Sequence, residues 1–187
     1  MLPEDLDPPD PRVGILTWLV VGLLVAGFGA CIAKGANNPS DPELGESRLP
    51  GFGEIGIRIV PAATATGLTP TEECALLAAT EKQRARGLME VTDLKGYPGM
   101  VFRYPADSTG AYYMRNTPTP LSIAWFAADG SFVSSADMAP CEDRSDCPTY
   151  GATGPYRVAF EVPQGDLAAL GIGPGSKLEV TGACPRT

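Results

Sequence analysis

The hydrophobic and polar positions divide this chain into an uncharged N-terminal stretch and a longer part in which apolar residues alternate with polar ones. Residues 13–33 carry no charged side chain. A helix of that length spans about 31 Å, which matches the roughly 30 Å hydrocarbon core of a bilayer. The pattern therefore predicts a short cytosolic N-terminus at 1–12 and a single transmembrane anchor at 13–33. The Pro-, Gly- and Asn-containing residues 34–53 are expected to form a flexible linker.

Beyond residue 53 the pattern predicts short strands and one helix. Ile55, Ile57 and Ile59 alternate with other residues, which is typical of a strand with one buried face. Thr80 and Gln83 have the spacing of a capping box, so a helix is expected to begin there and to run to about residue 90. Further strands are expected at 74–79, 100–104, 111–115, 121–128, 131–137, 156–162 and 177–183.

These elements together predict an α+β fold for residues 54–187. The segment 121–128 is almost wholly apolar and is expected to be buried on both faces. Asp129-Gly130 follows it, and an Asp-Gly pair between two strand-like runs is a strong hairpin signal. The expected domain is small and mainly antiparallel, barrel-like or sandwich-like, with one main helix.

Composition narrows the classes of function. The net charge is −8 and the chain has no histidine. Binding to nucleic acid needs a basic surface that displaces counterions, so nucleic acid is not expected as a partner. Without histidine, Ser-His-Asp and Cys-His catalysis in their usual forms are excluded, as is any zinc site that needs imidazole. No cofactor is expected.

The cysteines indicate the compartment and the cross-links. Cys74, Cys141, Cys147 and Cys184 contain no Cys-x-x-Cys pair, which favours two disulfides over a metal site. Of the three connectivities, we favour Cys141–Cys147, which closes a short loop, and Cys74–Cys184, which joins the first and last core strands. Because disulfides persist outside the cytosol, the domain is expected to be extracytoplasmic. The alternative anchor is an acyl chain on Cys31, which ends a stretch similar to a lipoprotein processing site.

From about residue 74 to residue 180, the chain resembles the family known as domain of unknown function 192, in the manner of a membrane-anchored, actinobacterial-like member. The resemblance implies a small, mainly β domain that is often exported or membrane-attached, with no established activity. The segments that carry it are Arg84–Met89, Pro98–Phe102, Met114–Leu121, Asp129-Gly130, Met138–Pro140 and Phe160–Gly165.

Polar residues in and beside these segments are the candidate binding site. Arg84, Arg86, Tyr113, Arg115 and Asn116 can together hold an anionic or glycan ligand, because a guanidinium group binds carboxylate or phosphate with two hydrogen bonds. The structural alternative is that the arginines lie on a solvated helix face and the asparagine makes a turn. Of these two readings, the residue types alone favour the structural one.

Methionines and carboxylates are the other residues with candidate chemistry. Met89, Met100, Met114 and Met138 lack the close spacing of a copper site, so no metal is expected. A third set, Asp129, Asp137 and Glu161, can supply the paired carboxylates that glycoside hydrolysis requires.

The sequence therefore favours a membrane-anchored binding or accessory module of the cell envelope, without catalysis, that recognises a cell-wall ligand or an envelope protein. The alternatives are a carboxylate-based envelope hydrolase acting on glycans and a structural spacer protein. A hydrolase needs a deep pocket with titratable groups of perturbed pKa, a binding module needs only a shallow polar patch, and a spacer needs neither.

Overall fold

The computed structural model describes residues 45–185, which form a mainly β structure with two short helices. The expected transmembrane anchor at 13–33 and Cys31 lie outside the described residues. No helix between residues 45 and 185 is long and apolar enough to cross a membrane. The strands are β1 (Gly45–Glu46), β2 (Gly53–Val60), β3 (Thr71–Ala78), β4 (Met100–Ser108), β5 (Ala111–Tyr113), β6 (Leu121–Phe126), β7 (Phe132–Met138), β8 (Thr149–Gly151), β9 (Tyr156–Pro163) and β10 (Lys177–Gly182). The helices are α1 (Glu81–Arg86) and α2 (Asp166–Ala169).

The main sheet is mixed rather than wholly antiparallel. Its strand order is β1-β2-β3-β4-β9-β6-β7, with β10 also paired to β2, while β5 and β8 form a separate two-stranded ribbon. The single parallel pair is β3–β4, in which Leu76 lies opposite Met100. Parallel strands need a crossover connection of a dozen or more residues, and residues 79–99, which include α1, provide it.

The sheet does not close into the barrel that the sequence allowed. At the turn that leads into β7, one isolated bridge joins Ser131 to Lys177 at the start of β10. The two strands make no continuous ladder, so the edge of the sheet is not sealed along its length.

Both faces of the sheet are covered by apolar side chains. On one face Ile57, Phe126 and Phe160 belong to a cluster that α2 completes. On the other face Phe102 and Trp125 pack with the β5–β8 ribbon and with the residues that follow α1. Every residue of β6 is consequently buried, as its unbroken apolar run predicts. The Asp-Gly hairpin is confirmed, since β6 and β7 pair on either side of it.

Helix α1 begins as predicted and ends earlier than predicted. The Thr80 hydroxyl accepts from the Gln83 amide at 3.2 Å, and the Gln83 side chain accepts from the Thr80 amide at 3.0 Å. The helix stops at Arg86 because Gly87 adopts a φ of 48°, outside the helical region. Leu88 is then turned into the core, at 3% exposure.

Both expected disulfides are present, Cys74–Cys184 and Cys141–Cys147. Residues 45–53, the part of the expected linker that the structure describes, pack on the domain. Residues 45–46 pair with β2, and the Phe52 ring is buried against the core.

Candidate functional site

A cavity of about 450 Å³ lies on the face of the sheet beneath α1. Its walls come from α1 and the turn after it, from β4 and β5, and from the loop that leads into β6. The segments that carry the family resemblance supply much of this lining. Those lining residues are Arg84–Met89, Met114, Thr117, Leu121 and Glu161. We call this space the Glu161 cavity.

Glu161 is a buried residue of the cavity lining. Its side chain is 5% exposed, whereas Ala85, Arg86 and Tyr113 on the same lining are exposed and form the rim. In β9 it sits between Phe160 and Val162 and points to the opposite face. That face is covered by the ribbon and the residues after α1, so alternation along the strand does not bring Glu161 to solvent.

The Glu161 carboxyl group has no partner among residues 45–185. No hydrogen bond or ion pair involves it, and its in-register neighbours on β4 and β6 are Met100 and Ile123. Burial alone raises the pKa of Glu161 from 4.5 to about 8, because the apolar surroundings disfavour the ionised form. At neutral pH the group is therefore mainly an uncharged carboxylic acid.

Two tyrosines give the cavity a second polar element. The hydroxyl groups of Tyr104 and Tyr112 lie 2.9 Å apart. Burial raises the pKa of Tyr104 to about 12 and raises the pKa of Tyr112 further above its ordinary value. Both phenols thus stay neutral throughout the physiological range. The Tyr112 ring packs edge-on against Phe102 at 5.2 Å, which gives this wall an aromatic surface.

The two arginines of the predicted site lie on the rim and already have structural contacts. Arg84 donates to the carbonyl oxygens of Ala79 and Arg103, and its guanidinium lies 4.8 Å from the centre of the Tyr104 ring. Arg86 is more exposed. It makes one hydrogen bond, of 3.4 Å, to the Pro50 carbonyl, and it lies over the Phe52 ring.

Of the five predicted binding residues, Arg84, Arg86 and Tyr113 line the cavity. Arg115 and Asn116 do not. The guanidinium of Arg115 forms a 2.6 Å ion pair with Asp143. Asn116 adopts a φ of 55° in a turn closed by the bond from the Thr117 amide to the Met114 carbonyl, and its own carbonyl oxygen accepts from the distant Glu90 amide.

The three carboxylates considered for hydrolysis do not converge. Asp129 accepts from Ser131 within the β6–β7 turn, and Asp137 accepts from the Ser122 hydroxyl at 2.5 Å. Ser122 precedes Ile123, the residue opposite Glu161, so the Asp137 and Glu161 side chains lie on opposite faces of the sheet. Besides Glu161, the acidic residue in the cavity lining is the exposed Glu81.

The four methionines lie partly at the cavity and partly in the core. Met89 and Met114 reach the cavity, while Met100 and Met138 are fully buried in the core. A separate cluster of potential metal ligands is formed by Glu54, Cys74 and Cys184. Its two sulfur atoms are bonded to each other, which leaves no thiolate for a metal.

Sequence reasoning listed Glu161 only as part of a carboxylate set and missed Tyr104 and Tyr112. The signal for Glu161 was an acid inside an otherwise apolar strand, within a segment that carries the resemblance. The two tyrosines gave no local signal, because they belong to different strands and meet only through the fold.

The site belongs to a family without an assigned activity. The sequence model of a family described as "Uncharacterized ACR", domain of unknown function 192, matches residues 63–180. This chain therefore belongs to that family. Comparison with curated proteins gives no match.

Solved structures share the fold. A protein of unknown function from Novosphingobium aromaticivorans superposes with a TM-score of 0.61 at 28% identity, over 73% of this chain and 91% of its own. A protein from Sinorhizobium meliloti, described as a candidate transcription regulator, superposes with a TM-score of 0.60 at 22% identity. That alignment covers 71% of this chain and 97% of the other protein.

Proposed function

We propose that this protein is a binding module of the cell envelope, held at the membrane by residues 13–33 or by an acyl chain on Cys31, with its domain outside the cytosol. The uncharged N-terminal stretch supports the anchor, and the two disulfides support the compartment. The net charge of −8 gives no support to the nucleic-acid role implied by the description of the S. meliloti protein.

The observation that carries the proposal is the Glu161 cavity. Ligand sites are concave, largely apolar and furnished with a few polar groups that fix the ligand. This cavity has a carboxyl group at its base, a tyrosine pair on one wall and arginines at its mouth. We therefore move the proposed site from the surface around Arg115 and Asn116 to the cavity, to which Arg84, Arg86 and Tyr113 contribute.

The experiment is a thermal-shift screen of the full-length chain in mild detergent against cell-wall fragments and soluble envelope glycans. A ligand present at 100 times its dissociation constant stabilises the folded state by about 2.7 kcal/mol. Ala85→Trp places a large side chain on the exposed rim and should abolish the shift. Lys82→Trp adds the same bulk on α1 outside the lining and should leave it intact. A shift that survives Ala85→Trp would place the ligand elsewhere.

A carboxylate-based hydrolase is the second candidate. A buried acid that stays protonated at neutral pH is the state required of a general acid. The mechanism also needs a second carboxylate about 5 to 9.5 Å away, and Glu81 is the acidic residue available in the lining. Release of reducing sugar from a glycan fragment, lost in Glu161→Gln and in Glu81→Gln, would favour the hydrolase over the binding module.

A further inference from the structure

We infer that the Glu161 cavity takes a small ligand with a primary ammonium group, which binds at the Glu161 carboxyl group, and with an anionic group that reaches the arginines at the rim. The inference rests on the proposed function and adds the chemical class of the ligand. It draws on three features of the cavity: the unpartnered acid, the aromatic wall and the cationic mouth.

The unpartnered acid calls for a hydrogen-bond donor. Buried polar side chains in folded proteins almost always have a partner, and each exception needs an explanation. Glu161 is 5% exposed, no residue between 45 and 185 donates a hydrogen bond to it, and its carboxyl oxygens are open to the cavity and not sealed in the core. A carboxylate accepts several N–H bonds, and those from a cationic donor are the strongest. An ammonium group supplies both the donors and the compensating charge.

The aromatic wall favours a cation over a neutral donor. Phe102 and Tyr112 line the cavity together with Glu161, as does Tyr104, whose ring already lies under the Arg84 guanidinium. Aromatic rings attract cations through the negative potential of their faces, and the attraction grows when the cation is desolvated. A carboxyl group next to several rings is therefore better matched to an ammonium group than to an amide.

The mouth of the cavity, in contrast, favours an anionic group. Arg84 and Arg86 lie there with a single acid, Glu81. The guanidinium group of Arg86 has five N–H donors, of which one is used within residues 45–185, in a 3.4 Å bond to Pro50. The remaining donors can hold a carboxylate or phosphate. The cavity thus matches a ligand that is cationic at its inner end and anionic at its outer end.

Binding of an ammonium group at Glu161 is coupled to release of the Glu161 proton. The titratable or charged groups that line the cavity with Glu161 are Glu81, Arg84, Arg86, Tyr104, Tyr112 and Tyr113. Before a ligand binds, Glu161 holds its proton at pH 7, because burial raises its pKa to about 8. An ammonium group favours the carboxylate, so binding releases that proton to solvent. The affinity should therefore rise at least about tenfold between pH 6 and pH 8.

The test is titration calorimetry on the full-length chain with four probes of equal length: aminovalerate, pentylamine, valerate and valeramide. Repeating each titration in two buffers of different protonation enthalpy measures the proton released. We expect both amines to bind with release of nearly one proton at pH 7, and valerate and valeramide to bind at least about tenfold more weakly. Glu161→Gln should weaken both amines at least about tenfold, while Lys82→Gln, on the same helix outside the lining, should not.

The outer end has its own test. Arg86→Gln should weaken aminovalerate several-fold without weakening pentylamine, because only the former carries a carboxylate. Amines that bind without releasing a proton, valeramide that binds as tightly as pentylamine, or amine binding that is insensitive to Glu161→Gln would each overturn the inference.

The two proposals can fail separately. If envelope fragments stabilise the protein through the cavity, as judged by Ala85→Trp, while the amines do not bind, the ligand class is wrong and the binding function stands. If neither the fragments nor the amines bind, both proposals are wrong.

Discussion

The replacement of Glu161 by glutamine should change how the stability of this protein depends on pH. The folded protein keeps the Glu161 proton up to about pH 8, whereas the unfolded chain releases it near pH 4.5. Between these values the unfolded state binds fewer protons, so rising pH lowers the free energy of unfolding by up to about 1.4 kcal/mol per pH unit. The stabilising effect of the raised pKa is complete below pH 4.5 and is lost by about pH 8.

At pH 7 the accumulated loss from this one group is about 3 kcal/mol, a large part of the 5–15 kcal/mol typical of a folded domain. Glu161→Gln keeps the shape of the protonated side chain and cannot ionise. Its free energy of unfolding relative to the natural protein should therefore rise by about 3 kcal/mol between pH 4.5 and pH 7. Replacing the carboxyl group by an amide also changes the free energy of unfolding by an amount that does not depend on pH. The prediction therefore concerns how the difference between the two proteins changes with pH, and not their absolute stabilities.

The assay is urea unfolding followed by circular dichroism at several pH values from 4.5 to 8, for the natural chain and for Glu161→Gln. Glu81→Gln is the control, because Glu81 is exposed at the rim of the same cavity. The pH dependence produced by Glu161 should persist in this variant, because Glu161 is unchanged in it. Parallel curves for the natural chain and Glu161→Gln would refute the reasoning, since they would mean that Glu161 ionises equally easily in the folded and unfolded states.

Three further perturbations follow from the fold. Replacing Cys74 and Cys184 by alanine should remove about 4–5 kcal/mol, measured by chemical unfolding, because this bridge closes a loop of 110 residues; an unchanged midpoint would mean that the bridge is absent in the natural chain. Thr80→Ala should cost about 1 kcal/mol through loss of the helix cap, whereas Thr80→Ser, which keeps the hydroxyl, should cost less. Gly99→Ala should destabilise the protein by about 1–3 kcal/mol or more, because a Cβ atom there would overlap the carbonyl oxygen of Glu161; a melting temperature equal to that of the natural chain would contradict this close approach.

Local patterns in the sequence were sufficient for most of the elements. Alternation placed Ile55, Ile57 and Ile59 on one face of β2, and the unbroken apolar run identified β6 as buried on both faces. The capping box and the Asp-Gly hairpin were also readable, because each depends on residues no more than a few positions apart. The end of α1 was the exception, since the conformation of Gly87 ends the helix well before residue 90.

The pairing of strands that are distant in the sequence was harder to predict from the sequence. The parallel pairing of β3 with β4 and the open edge between β7 and β10 depend on which strands meet, and the local alternation of residues does not encode that choice. The disulfide between Cys74 and Cys184 was predicted on the expectation that the strand of Cys74 and the last strand are neighbours. The pairing is confirmed, but β2 lies between β3 and β10, and Gly56 of β2 is opposite both Cys74 and Gly182.

The sequence by itself determined the family and the strand-rich composition of the domain. It also predicted Arg84, Arg86 and Tyr113 as binding residues, without placing them on a cavity. Only the tertiary structure decided the environment of Glu161. Alternation in β9 directed this side chain away from Phe160, and a strand with one covered face would have left it in water. Because α1 and the β5–β8 ribbon cover the second face, the same residue becomes a buried, unpartnered acid. Its pKa, and with it the chemistry proposed for the cavity, follows from that burial and not from any local feature of the chain.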